Sequence, residues 1–368
     1  MRQIIKFLVI FFIVLIGAYM QAVWFPKANP KVAISKSNSY LAMDSGTPHS
    51  EIDASGMATY IGKSLKEVQA KFGATQYVSV ASTGEKVLTY ADKHTRSHYF
   101  QVFLKNDRVS SIFVLGKKDS IAPFKIGMKL SDVGDFSTIN PDFSFHLDQQ
   151  AYQFELTEEE MNYTPLIAFT NQSFALLYFG HSKGELQAIR YVDKQSLLGI
   201  MPYELTSGED QLQIAPPKVQ TEVIDKINLI QLFETLKVLN QRESQRSIKE
   251  TAGLSDQANQ FLQEFIKTPT DYLHMPNELI SWNKRTTETK FLPSFWLDLS
   301  NSGMLQTQGP VFLNQTKGFI FSVVKDVPAT AMMIHEIEMS QNLVEKNKET
   351  TVGIAIANGT VLILWQNK

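Results

Sequence analysis

The sequence predicts an α+β protein held at a membrane by an N-terminal helix, and three observations predict it. An apolar run opens the chain at 7–25. A helix-forming phrase occurs twice, as "IGKSLKEVQAKFG" at 61–73 and "IGMKLSDVGDF" at 126–136, and each copy runs into alternating strands. The second half carries amphipathic helices and ends in a strand hairpin. Helices covering one face of antiparallel strands define the α+β class.

A chain of 368 residues has room for two or three domains, and its 43% hydrophobic and 20% charged residues are ordinary for folded protein. The net charge of −2, with no basic run beyond the N-terminus, gives no nucleic-acid footprint. The absence of cysteine excludes disulfides, thiolate metal sites and a thiol nucleophile.

Arg2 and Lys6 precede "FLVIFFIVLIGAYMQAVWF" (7–25), interrupted only by Gln21. Such a helix spans about 28 Å, close to the thickness of a bilayer core. The basic flank belongs in the cytoplasm and Trp24 at the far interface, which places the rest of the chain outside. "AYMQA" is a poor cleavage site because Met20 stands where a small residue is needed, so 1–25 reads as a retained, single-pass signal anchor. Residues 26–58 are polar, Ser-rich and aperiodic, and read as a linker.

In the first copy of the phrase, Ser64 and Glu67 form a capping box; Leu65, Val68 and Phe72 share a helical face, and Gly73 supplies the stop. "QYVSV", "KVLTY", "YFQVFL" and "VSSIFVLG" follow as strands, with a turn at Asn106-Asp107. In the second copy Leu130 and Val133 replace Leu65 and Val68, Gly134 falls inside the helix, and no capping box is present. "YQFEL", "LIAFT", "FALLYF" and "LQAIRYV" are its strands. The expectation is a domain over 59–205 built from a tandem repeat of a short helix and an antiparallel meander.

The stretch 206–217 contains Pro216-Pro217 and no periodicity, and reads as a second linker. Helices are expected over 221–244, 254–267 and 329–346, with Pro269 stopping the second. "TVGIAIA" and "TVLILWQ" form a hairpin turned by Asn358-Gly359.

Ile61, Gly62, Ser64, Glu67, Val68, Phe72 and Gly73, followed by "VFLKNDRVSSIFV" and the second "IGMKLSDV", resemble the CAP-associated N-terminal domain of secreted Firmicute proteins. Ala74-Thr75 departs from the Gly-x-Pro that such proteins often carry. The resemblance implies a CAP (SCP-like) partner domain, an α-β-α sandwich, over 218–368. That half looks like a degenerate CAP domain in the placing of Asn240, Arg242, Ala258, Ser340 and the last hairpin. The family's cleft carries two histidines and two acids that bind a divalent metal in some members. Here the first histidine position falls on Phe261, and the "SxxH" position after Ser340 falls on Leu343. His274 is the histidine left for such a cleft, with Glu278 and Glu264 as candidate carboxylates.

The remaining motifs point away from catalysis. His335-Glu336 lacks the second histidine of a zinc-protease helix, since Met339 occupies its place, and His335 reads as a residue at the edge of a Met-rich core. His94 and His98 read as loop residues, and Glu158-Glu159-Glu160 as a solvated acidic turn. Trp282, Phe291, Phe295 and Trp296 suit a core, or glycan stacking. No phosphate loop, dinucleotide fingerprint or G-x-S-x-G is present, and neither cofactor nor metal is expected. The expected function is a non-catalytic binding or scaffolding protein at a Gram-positive cell wall, partnered by the membrane and by a wall polymer or surface protein. The alternatives are a wall or peptide hydrolase using His274 with Glu278 or Glu264, and a regulator of a membrane or secreted partner.

Overall fold

A computed structural model describes residues 49–81, 83–92, 97–208, 221–242, 246–273, 276–284, 294–297, 316–322, 324, 326–346 and 348–366. The helix expected at 7–25 lies outside these residues; among those described, no helix is long and apolar enough to cross a membrane.

The first phrase folds as its residues dictate. Helix α1 (Leu65–Phe72) starts where the Ser64 hydroxyl accepts from Glu67 N–H at 3.3 Å and Glu67 accepts from Ser64 N–H at 2.8 Å. It ends at Gly73, whose φ of +76° favours glycine. Strands β2 (Tyr77–Val80), β3 (Lys86–Ala91), β4 (Tyr99–Lys105) and β5 (Arg108–Val114) follow as an antiparallel meander. Ahead of them β1 (Glu51–Ile52) and a 3-10 turn over Gly56–Tyr60 are already in the fold, and Met57 and Ala58 are buried. The described fold therefore includes part of the stretch expected as linker, 26–58.

The second phrase departs from the first. Helix α2 (Leu130–Val133) has only four residues, and Gly134 ends it. Half a capping box survives: Asp132 accepts from Lys129 N–H at 2.8 Å, but the lysine side chain has no acceptor to return. Strands β6 (Asp142–Leu147) and β7 (Gln150–Glu155) leave the main sheet and form a separate one with β11 (Glu204–Ser207), in which β7 lies between the other two. Strands β8 (Leu166–Phe169), β9 (Phe174–Phe179) and β10 (Leu186–Val192) rejoin it, giving the order β1-β8-β9-β10-β5-β4-β3-β2. Both phrases dock through the same backbone bond: Gly62 N–H donates to Val109 C=O and Gly127 N–H to Leu186 C=O, each at 2.8 Å. The acidic turn is the start of a helix, α3 (Glu158–Tyr163), because Thr157 and Glu160 form a capping box of their own. Helix α4 (Lys194–Ile200), capped by Asp193, closes this lobe.

The second lobe is a five-stranded sheet between helices. Its strands are β12 (Ser247–Glu250), β13 (Ser294–Leu297), β14 (Thr316–Phe321), β15 (Glu349–Ala357) and β16 (Thr360–Gln366), in the order β12-β15-β16-β14-β13. Helices α6 (Ala252–Lys267) and α7 (Pro276–Lys284) bury Leu254, Phe265 and Trp282 against Leu362 and Leu364 on one face. Helices α5 (Thr221–Arg242) and α8 (Val327–Ser340) meet the other face at Val361, Ile363 and Trp365. The last helix stops at Ser340, six residues short of the expected 346.

Helix α5 explains how the lobes combine. Leu232, Leu236 and Leu239 are buried, and so are the polar Asn228, Gln231, Thr235 and Asn240. A helix buried on so many sides lies inside a core. Here one hydrophobic cluster runs from Tyr99, Phe113 and Tyr178 of the first sheet through α5 and α8 to Ile363 of the second. Thr47–Lys368 accordingly form one compact unit.

Candidate functional site

The sequence candidates divide between an aromatic interior and residues outside the described set. His274 lies outside it. Glu264 sits half-buried on α6, where its Oε2 is 3.5 Å from the Tyr272 hydroxyl. Burial first, and then the charges of Glu264 and Asp271, push the Tyr272 phenol up. Glu278 is half-buried in the first turn of α7. Beside them Phe261 is 8% exposed and meets Tyr272 edge-on at 5.2 Å, while Phe265 meets Trp282 edge-on at 4.7 Å. The α6 position where the resemblance places a cleft histidine is thus part of a packed aromatic cluster. Of the aromatic set named from sequence, Trp282 is core and Phe295 packs against it. Trp296 is exposed on its outer side, with its ring 5.0 Å from Phe319, and Phe291 lies outside the described residues.

A polar centre that the sequence did not announce lies between α5, α8 and β16. Glu338 is fully buried and accepts from Asn240 Nδ2 at 2.7 Å and from Trp365 Nε1 at 2.9 Å. His335 Nδ1 lies 3.5 Å from the same carboxylate, too poorly aligned for a hydrogen bond, and neither ring nitrogen has a hydrogen-bond partner. His335 is therefore fully buried, not at the edge of the core as expected. The available signal was Glu338 itself, an acid set between Ile337 and Met339 in a helix rich in apolar residues.

A third arrangement spans the seam between the lobes. Arg190 on β10 pairs with Asp326, donates from Nε to Ser111 Oγ at 2.9 Å, and lies over the Phe103 ring at 4.6 Å. Asp326 also caps α8 by accepting from Ala329 N–H at 2.9 Å. Burial, reinforced by the Asp326 charge, pushes the Tyr178 phenol above its ordinary range. Glu336 accepts from His181 N–H at 3.0 Å, Gln231 donates to Ser79 Oγ at 2.7 Å, and Arg242 donates to the carbonyls of Leu115 and Gln187. Next to Arg190 and Asp326 is a cavity of ≈ 20 Å³.

His98 is held in a loop, with Nδ1 3.0 Å from Asp119 Oδ1, and His94 lies outside the described residues. Burial raises the Asp119 carboxyl despite hydrogen bonds from His98 and Tyr99. Among the described residues no group of three or more histidines and carboxylates is placed to hold a metal ion.

A sheet covered on both faces by helices and fused through α5 to a second, largely antiparallel sheet is an α+β fold, and two solved structures share it. An extracellular protein containing an SCP domain from Bacillus anthracis str. Ames matches it with a TM-score of 0.65 at 20% identity, over 91% of this chain and 100% of that one. A cysteine-rich secretory protein from Staphylococcus aureus subsp. aureus Mu50 does so with a TM-score of 0.64 at 20% identity, over 87% and 98%. Residues 61–203 match the CAP-associated N-terminal family model, and the first lobe is such a domain. The uncharacterized membrane protein YlbC of Bacillus subtilis (strain 168) is 27% identical over 187 residues, 50% of this chain and 52% of that protein. The chain thus aligns with about half the length of this curated relative.

Proposed function

We propose that this chain is a membrane-anchored, extracytoplasmic protein that binds or scaffolds at the bacterial cell wall without catalysing a reaction. The observation that carries the proposal is the filled interior of the second lobe, where Phe261, Phe265, Tyr272 and Trp282 pack together at the place where the resemblance calls for a cleft histidine. A cleft that positions a metal or a general base needs polar groups converging on open space. Phe261 supplies neither. The basic-flanked apolar run at 7–25 supports a single-pass anchor with the folded unit outside. The names of the relatives, a membrane protein and an extracellular one, agree with that placement. The matching docking bonds of Gly62 and Gly127 support a duplicated unit in the first lobe.

The test is co-sedimentation of the full chain, in detergent, with purified cell-wall sacculi, with release of wall fragments assayed in the same tubes. Saturable pelleting without release is expected. Release that is lost in His274→Ala would replace this proposal with a hydrolase. Absence of both pelleting and release would overturn wall binding in favour of a protein partner.

A further inference from the structure

We propose that the cavity at the seam binds a primary ammonium group carried on the end of an unbranched chain. This goes beyond the wall-binding proposal and does not depend on it. The argument rests on size, on an orphaned acceptor and on charge.

The cavity measures ≈ 20 Å³, and about 10–15 Å³ is enough to hold one water. A water-sized head such as –NH₃⁺ fits that space.

The wall presents acceptors. Asn228 on α5 is 1% exposed, lines the cavity, and its Oδ1 has no hydrogen-bond partner. Asp326 lines it from the second lobe and Glu85 from the first. Arg190, the cation in the wall, is already engaged by Asp326, Ser111 and the Phe103 ring. Glu85 takes hydroxyl donors from Ser110 and Thr83, but each carboxylate oxygen accepts more than one. An ammonium brings three donors and no acceptor, which suits Asn228, Asp326 and Glu85 together.

The charges leave a place for one cation. Glu85 and Asp326 against Arg190 sum to one negative charge, and just beyond them Asp193 and Lys105 cancel. Ala81, Ile200, Val327 and Pro328 complete the wall with apolar surface along which a methylene stem can lie. Both lobes contribute, so the group would be gripped across the seam.

The chemistry is shared by a lysine-type side chain of a peptide and by a free alkylamine. The test therefore uses Nα-acetyl-lysine methylamide and n-pentylamine as probes. The norleucine and arginine analogues of the first serve as controls, and binding to the full chain in detergent is measured by calorimetry. The lysine probe should bind at least about tenfold more tightly than either control, and pentylamine alone in that range would assign the site to free amines. Asn228→Leu should abolish the preference, with circular dichroism reporting its folding. Asn228→Asp, which keeps the shape and adds a charge, should tighten lysine binding by about tenfold. Equal binding of the lysine and norleucine probes would overturn the proposal. So would lysine binding unchanged in folded Asn228→Leu or weakened in Asn228→Asp, or a crystal soaked in the lysine probe that shows only water in the cavity.

Discussion

Arg190, on a central strand of the first lobe, is ion-paired with Asp326, the residue that caps a helix of the second, and the two side chains are 2% and 10% exposed. A pair so deeply buried contributes little when intact, because desolvation offsets its attraction, yet breaking it leaves a charge stranded.

Arg190→Met is therefore expected to cost about 3–5 kcal/mol in urea unfolding, and Asp326→Asn a comparable amount. The double variant should recover part of the loss. Strictly additive costs in this double-mutant cycle would show that the two groups do not interact.

At the second polar centre, Glu338→Leu leaves the Asn240 amide and the Trp365 indole without their acceptor. Each orphaned buried donor costs about 1–3 kcal/mol, softened at Asn240 because its amide also donates to Leu236 C=O. The expected total is about 2–4 kcal/mol. Glu338→Gln, which keeps one carbonyl oxygen, should lose less than half as much. Equal losses in the two variants would mean that packing, not acceptance, is what matters there.

Gly353 on β15 lets α6 approach closely: a Cβ there would lie 2.3 Å from the Leu254 carbonyl group. Gly353→Ala must push a helix backbone off the sheet, and overpacking of this kind costs about 1–3 kcal/mol. Thermal denaturation should show a lower midpoint. Gly199→Ala on α4, where nothing stands within 4 Å of the added carbon, is the control, expected to hold the midpoint or raise it because alanine is the better helix former.

Glu67 gives a pH dependence with a definite sign. The Ser64 backbone N–H, then its hydroxyl, then Lys63 hold its carboxyl down at about 2, against an ordinary 4.5. A depressed folded pKa means a contribution present above about 4.5 and lost as pH falls toward 2. The difference in melting temperature between the native chain and Glu67→Gln should be widest near neutrality and close as pH approaches 2. A gap constant with pH would refute the assignment.

The first lobe was legible because its signals are local. Ser64, Glu67 and Gly73 define α1 by themselves, and the turn at Asn106-Asp107 carries the positive φ angles that its sequence favours, as Asn358-Gly359 does in the second lobe. What escaped depends on distant partners. No local pattern sends β6 and β7 to a separate sheet, since that choice rests on pairing with β11, about fifty residues later. The strand at Thr316–Phe321 went unnamed because it is recognisable chiefly through its ladder with β16.

The candidate residues show the same division. Phe261, aligned through the resemblance, marked where a histidine was missing, and the aromatic cluster lies there. Asn228, Arg190 and Asp326 meet only across the seam, from three elements spread over more than one hundred residues, so periodicity could not have joined them. A buried arginine within the apolar strand "LQAIRYV" was the visible hint, but it named no partner.

The burial of α5 between both sheets has a consequence for how the chain can vary and how it can be divided. Neither lobe is a cassette: a fragment ending near 205 would lay bare the surface that α5 covers, and one beginning near 218 would carry that helix with its far side stripped. Substitutions along α5 answer to two neighbours at once, so changes accepted by one lobe must be matched in the other, and the two halves are bound to drift in concert.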